Sequence, residues 1–182
     1  EKLLSPDRAK VALPIATKTQ VQHAPVGVVG IIAPWNYPLV LAISDAIPAI
    51  LAGNTVVLKP DSNTPMTSLR AAELFAEAGL PKDVLTVIPG SGREVGQALV
   101  EQVDYLMFTG SSATGAKLAA QAGERLIGFS GELGGKNPLI VTSDVDVDKA
   151  VSGVRHACFS NTGQLCISIC LLYTSLSGLA RQ

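Results

Sequence analysis

Cys166 closes the stretch Phe159-Ser-Asn-Thr-Gly-Gln-Leu-Cys166, a Gly-containing turn followed by the apolar Ile167 and Ile169. A thiol held that way could attack an electrophilic carbon. Glu132 stands in Gly131-Glu132-Leu-Gly-Gly-Lys-Asn-Pro138, with Phe129, Leu133 and Leu139 around it. Apolar neighbours would raise the pKa of such a carboxyl and suit it to general-base work; the plainer alternative is a surface carboxylate on a glycine loop. Asn36 lies in Pro34-Trp35-Asn36-Tyr37-Pro38, where two prolines stiffen the backbone. Its amide could donate to a developing oxyanion, although the same residues also read as a simple turn.

A second group of residues suits an anionic ligand. Val57-Leu-Lys59-Pro60-Asp61-Ser62 ends an apolar run with a lysine that could reach ribose hydroxyls or a phosphate, or lie solvated at a strand end. Gly90-Ser-Gly92-Arg-Glu-Val-Gly96 approaches a dinucleotide fingerprint but has one residue too many before its last glycine. Gly110-Ser111-Ser-Ala-Thr-Gly115 follows an apolar run and opens a helical pattern, where free N–H groups and the helix dipole favour a pyrophosphate. Either glycine turn could equally be an ordinary strand-to-helix connection. Cys158 and Cys170 read as packing thiols. His156, Cys158, Cys166 and Cys170 are close in sequence, but none has C-x-x-C spacing, so no metal site is expected. His23 reads as a surface residue.

These residues need elements to hold them. Residues 1–24 are polar, and Lys18 to His23 alternates, predicting an extended arm or hairpin. Val26–Ile32 reads as a buried strand, Leu39–Leu51 as a helix bent or shortened by Pro48, and Thr55–Leu58 as a strand. Thr67–Ala78 is predicted helical with Gly79 as its stop, followed by a strand at Val84–Ile88 and a helix at Arg93–Glu101. Tyr105–Phe108 reads as a strand and Thr114–Ala122 as a helix. Short strands follow at Leu126–Phe129 and Leu139–Val141, then a helix at Asp146–Cys158. This alternation predicts an α/β fold with a parallel sheet and right-handed crossovers, whose strand ends bind ligands.

Composition narrows the function classes. The 182 residues carry 14 Lys plus Arg against 15 Asp plus Glu, a net charge of −1. That balance lacks the basic excess of a nucleic-acid binder. Hydrophobic residues make up 47% and charged residues 16%, which predicts a folded core rather than disorder. The longest apolar stretch, Pro38 to Gly53, is interrupted by Asp45 and Pro48, so no membrane span is expected. The N-terminus has no apolar core behind its charges and does not read as a signal peptide. Three clustered cysteines are not a disulfide framework, and a cytoplasmic location is expected.

Taken together, the motifs resemble the aldehyde dehydrogenase superfamily. Pro-Trp-Asn, Lys-Pro, Phe-Thr-Gly-Ser-x-x-x-Gly, Glu-Leu-Gly-Gly-Lys-Asn-Pro and Gly-Gln-x-Cys occur in the family's order and spacing over about residues 24–169. The joint pattern is specific where its single parts are not. The resemblance implies a Rossmann-like nucleotide-binding domain at 25–135, preceded by an oligomerisation-type arm at 1–24. The start of a catalytic domain follows at 136–169, and residues 170–182 find no family counterpart. It implies Cys166 as nucleophile, Glu132 as general base and Asn36 as oxyanion donor. For the cofactor it implies Lys59 at the adenine ribose, with Pro60, Asp61 and Ser62 beside it, and Trp35 and Asn36 nearby. Gly92 and Gly96 fall near the adenine, Gly110 and Ser111 at the pyrophosphate, and Leu133 at the nicotinamide end.

The implied reaction oxidises an aldehyde to a carboxylic acid with NADP or NAD through a cysteine thioester. Many NAD-preferring members carry a Glu where this chain has Ser62. A carboxylate would repel a 2′-phosphate, whereas a hydroxyl can donate to it, so NADP is the expected preference. The wording around Asp61, Tyr105 to Gly115 and Cys166 to Ile169 resembles succinate-semialdehyde dehydrogenases. The partners implied are a small aldehyde and further copies of the chain, as a dimer or tetramer, with neither nucleic acid nor membrane. Family members run to several hundred residues. On that ground the chain reads as a fragment, with negligible turnover expected from it alone and an apolar face left uncovered.

Overall fold

The computed structural model describes residues 2–11 and 19–175. The chain divides into two compact units, Glu1–Gly131 and Glu132–Gln182, slightly before the 135/136 boundary read from sequence. Of the arm, β1 (Asp7–Arg8) pairs antiparallel with β2 (Gln20–Val21). The part of the arm at 12–18, including Lys18, lies outside the described residues, as does the end of the tail at 176–182.

The first unit is built on a five-stranded sheet. Its strands are β3 (Val28–Ile32), β4 (Thr55–Lys59), β5 (Leu85–Val87), β6 (Tyr105–Thr109) and β7 (Gly128–Glu132), in the order β5-β4-β3-β6-β7. The pairs β3–β4, β3–β6 and β4–β5 are parallel, with Ile31 opposite both Leu58 and Met107. This is the predicted α/β architecture. The central strands are near-continuous apolar runs because both of their faces are covered. Helices α1 (Val40–Leu51) and α2 (Pro65–Glu77) pack on one face, where Val29, Ile31, Val56 and Leu58 join Ala42, Ala46 and Ala71 in one core. Fully burying a side chain such as Ile31 or Leu58 contributes about 2 kcal/mol. Gly30 turns the other way, toward Leu99 of α3 (Gln97–Gln102) and Val103. Helix α4 (Ser112–Glu124) runs beside α3.

One local expectation narrows and two change. Pro48 does not shorten α1, which holds it inside and runs to Leu51, the end expected. The helix expected at Arg93–Glu101 is two pieces, a wide π-type turn at Gly92–Gly96 followed by α3. The strand expected at Leu126–Phe129 starts later, at Gly128, because Leu126 has φ 57 and closes the end of α4. There the Leu126 N–H donates to Gly123 O at 3.0 Å and the Ile127 N–H to Ala122 O at 3.1 Å, the paired closure that ends many helices.

The second unit holds β8 (Asn137–Val141), α5 (Val147–Phe159) and β9 (Ile169–Thr174). Strands β8 and β9 run parallel, with Asn137 opposite Ile169. Residues 170–174, expected to be an unmatched tail, therefore continue as sheet. Asp146 caps α5, its carboxylate accepting from the Lys149 N–H at 3.1 Å. Val147, Val151 and Phe159 of α5 are exposed, as are Ile140 and Leu172 of the strands.

Candidate active site

A cavity of about 530 Å³ opens between α3, α4 and the sheet, lined by Ile32, Gly92, Gly96, Phe108, Thr114 and Lys117, among others. Its size is that of a small-molecule or cofactor pocket. Ile32, Phe108 and Leu118 give it apolar walls, while Arg93 and Lys117 add cations. A Cβ on Gly110 would come within 2.5 Å of the Phe108 ring, so that glycine lets the ring keep its place in the wall. Ser111 caps α4: its Oγ accepts from the Thr114 N–H at 3.3 Å and donates to Thr114 Oγ1 at 3.0 Å. Ser91 does the same for the π-type turn, accepting from the Glu94 N–H at 3.1 Å. An apolar slot with two cations and two helix starts fits a nucleotide. Among the described residues no group of three or more His, Cys, Asp or Glu side chains is placed to hold a metal. No helix among them is long and apolar enough to cross a membrane.

None of Lys59 to Ser62 lines that cavity, but the stretch adjoins its wall: Lys59 is in register with Ile32 across β3 and β4. Lys59 is only 4% exposed and lines a second, apolar cavity of about 330 Å³ with Val28, Val57, Val95, Leu99 and Val103. It is not a solvated strand-end lysine. Its Nζ donates to Pro60 O at 2.8 Å. Burial lowers its pKa from the ordinary 10.5, and the nearby Asp61 carboxylate opposes part of that shift. Pro60 is fully buried, and Asp61 accepts from the Asn63 N–H and side-chain amide, both at 2.9 Å. Ser62 is exposed, and its hydroxyl donates to Gly90 O at 3.0 Å. That proton is already engaged within the chain, so the hydroxyl is not the free donor expected from sequence.

The lysine's burial has a pH consequence. With the folded-state pKa lowered, the unfolded chain binds more protons from that pKa up to 10.5. Unfolding free energy from this residue therefore rises with pH through that window. The stability gap between wild type and Lys59→Met, read from denaturant melts at neutral pH and near 10.5, is expected to shift toward wild type at high pH. A gap that stays constant rules the account out.

At the end of β3, the Ala33 N–H donates to Lys59 O at 3.1 Å, aligning the two strand ends. Trp35 and Asn36 follow in this first unit; Trp35 is exposed and Asn36 half-buried.

The second unit carries Glu132, Leu133 and Cys166. Glu132 is exposed at the end of β7. Phe129, Leu133 and Leu139 are each only half-buried, and the exposed Glu132 matches the surface-carboxylate reading. Cys166 is also exposed, whereas Cys158 is half-buried. The backbone around Cys166 is held from several sides. Asn161 and Thr162 adopt left-handed φ values of 49 and 56, which is costly for the β-branched Thr162. The Ser168 N–H donates to Leu165 O at 3.1 Å, closing a turn over Cys166. The Ser168 side chain is buried and its hydroxyl reaches Ala157 O at 3.2 Å and Cys158 O at 3.1 Å, in the last turn of α5. A Cβ on Gly135 would meet Cys166 O at 2.4 Å, so only glycine admits this approach. The side-chain amide of Asn137 donates to Cys166 O at 2.7 Å and to Ser168 O at 3.0 Å.

Sequence reasoning did not single out Arg93, Phe108, Thr114 or Lys117. Thr114, Lys117, Leu118 and Gln121 all line the larger cavity, and their helical spacing places them on one face of α4. That spacing was a readable signal. Asn137 had none.

Comparison with known proteins bears on this site. The aldehyde dehydrogenase family matches residues 5–177, which includes part of the tail beyond 169. A Mycolicibacterium smegmatis protein named "Putative succinate-semialdehyde dehydrogenase (NADP+)" is 62% identical over 172 residues, covering 94% of this chain and 33% of the relative. The crystal structure of an E. coli NADP dependent enzyme superposes with a TM-score of 0.93 at 38% identity, over 99% of this chain and 38% of that one. An NAD-dependent aldehyde dehydrogenase from Sinorhizobium meliloti gives 0.84 at 46% identity, over 86% of this chain and 32% of that one. The chain thus spans about a third of the length of the curated relative it matches.

Proposed function

Because the chain belongs to the aldehyde dehydrogenase family, we propose that it supplies the nucleotide-binding domain and the nucleophile of an NAD(P)-dependent oxidoreductase. The enzyme converts an aldehyde to a carboxylic acid. The observation that carries this reading is the exposed Cys166 thiol on a backbone fixed by Gly135, Asn137 and Ser168. An accessible nucleophile on a rigid turn is what covalent catalysis requires.

The Cys166 thiolate attacks the aldehyde carbonyl, forming a carbon–sulfur bond as the carbonyl electrons move to oxygen. The Asn36 amide and the Cys166 backbone N–H stabilise that oxyanion. When bound, the nicotinamide supplies the acceptor for the hydride this carbon loses. Cys166 then holds the acyl group as a thioester. Glu132 takes a proton from water, the water oxygen attacks the acyl carbon, and the thiolate leaves with release of the acid. Lys59, Pro60, Asp61, Ser62, Gly92, Gly96, Gly110 and Ser111 would hold the adenosine and diphosphate, with Trp35 and Asn36 beside the cofactor and Leu133 toward the nicotinamide. The site is read as a homo-oligomeric, cytoplasmic enzyme's, in keeping with three free cysteines and exposed apolar residues.

The substrate proposed is succinate semialdehyde, supported by the name of the M. smegmatis relative. NADP is the proposed preference, because Ser62 places no carboxylate beside a 2′-phosphate. The test is aldehyde-dependent NADP reduction by the complete polypeptide, run beside the 182-residue chain, from which negligible turnover is expected. Binding of NADP without turnover of any aldehyde by the complete polypeptide would leave only a nucleotide-binding module. Ser62→Glu is expected to shift the NADP/NAD ratio of kcat/KM toward NAD by roughly fivefold to a thousandfold, the range of a like-charge contact of about 1 to 4 kcal/mol. An unchanged ratio refutes the role given to Ser62.

A further inference from the structure

We infer that Asn137 is a positioning residue for the nucleophile, an inference that rests on the reading of Cys166 above. An Asn amide has two N–H donors. Here both are used on one short loop, at Cys166 O (2.7 Å) and Ser168 O (3.0 Å). The amide therefore spans the peptide that follows the nucleophile and a peptide two residues on. It acts with two fixed neighbours. Gly135 lies so close that any Cβ would collide with the same Cys166 carbonyl. Ser168 anchors the far end to the last turn of α5. Asn137 itself is set by β8, in register opposite Ile169.

The consequence concerns direction. The Cys166 side chain is exposed, so packing does not orient it. Only its backbone can do so. Fixing the carbonyl of Cys166 sets the plane of the next peptide, which with the turn closed by the Ser168 N–H sets the Cα–Cβ direction. Asn137 touches neither substrate nor the reacting atoms in this account. It holds the thiol where attack is productive, and a displacement of about 1 Å costs on the order of a hundredfold in rate.

The experiment pairs activity with a readout of the loop itself. In the complete polypeptide, Asn137→Ala is expected to lower kcat about ten- to a hundredfold with the aldehyde KM little changed. Hydrogen exchange within residues 165–168, read at the Ser168 amide that donates to Leu165 O, is expected to rise by a similar factor, while exchange in β3 and β4 stays as in wild type. Asn137→Ser keeps a shorter donor and restores part of both. If the alanine variant does not fold, the serine variant carries the test alone, with intermediate losses in both readouts. Unchanged exchange at 165–168, or unchanged kcat with faster exchange, overturns the proposal. So does a fall in kcat matched by general exposure of the sheet, which would make Asn137 merely structural. Cys166→Ser measured alongside separates the two levels. If it keeps full turnover, the nucleophile reading fails and this inference fails with it. If it is dead while Asn137→Ala is fully active, only this inference fails.

Discussion

Cys166→Ser in the complete polypeptide is expected to lower aldehyde oxidation by about 10⁴-fold or more, with nucleotide affinity unchanged. A serine hydroxyl differs from a thiol by one atom in a side chain that is already exposed, so the change costs the fold little. Its chemistry differs far more. A thiol is a few per cent thiolate near neutral pH and that thiolate is strongly nucleophilic, while a hydroxyl needs an adjacent base to attack at all. The other two cysteines provide controls. Cys158 is half-buried beside the end of α5, and Cys170 lies on β9 with its sulfur 3.5 Å from Ser168 O. Alanine at either is expected to leave turnover within about twofold, the effect of a peripheral change. Mass spectrometry after mixing wild type with aldehyde and NADP should find the acyl adduct on the peptide holding Cys166. An adduct on Cys170, or near-normal turnover by Cys166→Ser, would end the nucleophile assignment.

What the sequence revealed follows from how local each signal is. Strands β3, β4 and β6 were legible because burial on both faces makes them apolar runs, with Ile31, Leu58 and Leu106 almost wholly removed from solvent. Helix α4 was legible from Ser111 and the glycine turn before it. Features set by one residue's conformation were not. Leu126 carries no mark of its left-handed φ, and nothing in Gly92–Gly96 distinguishes a π-type turn from an α-helical one. The burial of Lys59 depends on Leu99 and Val103 arriving from α3 and the segment after it, which a strand-end lysine does not disclose. At the site, Cys166 and Glu132 stood out by motif. The amide that holds the cysteine loop sits 29 and 31 residues before its two partners, a separation no periodicity encodes. Glu132 left two readings open in sequence, an enclosed base or a surface carboxylate on a glycine loop; its apolar neighbours are each only half-buried and Glu132 is exposed.

That exposure sharpens what Glu132→Gln should do. The expected result is a fall of about 10²- to 10⁴-fold in steady-state kcat, the range for losing a general base, with the first turnover preserved. Gln keeps the shape of the side chain and loses only the basic oxygen. At an exposed strand end, stability should move by no more than about 0.5 kcal/mol, so lost rate cannot be assigned to unfolding. If Glu132 acts only on water, thioester formation proceeds and hydrolysis stalls. A rapid burst of NADPH near one equivalent per site should then precede a slow steady phase, and the acyl adduct on Cys166 should accumulate. Two results break the assignment in different ways. Unchanged kcat means another group, or solvent itself, accepts the proton. Loss of the burst together with the steady rate means Glu132 is needed before the thioester forms, as a base for the thiol rather than for water. Stopped-flow absorbance with time-resolved mass spectrometry separates these outcomes, because the order of the two chemical steps decides which atom Glu132 serves.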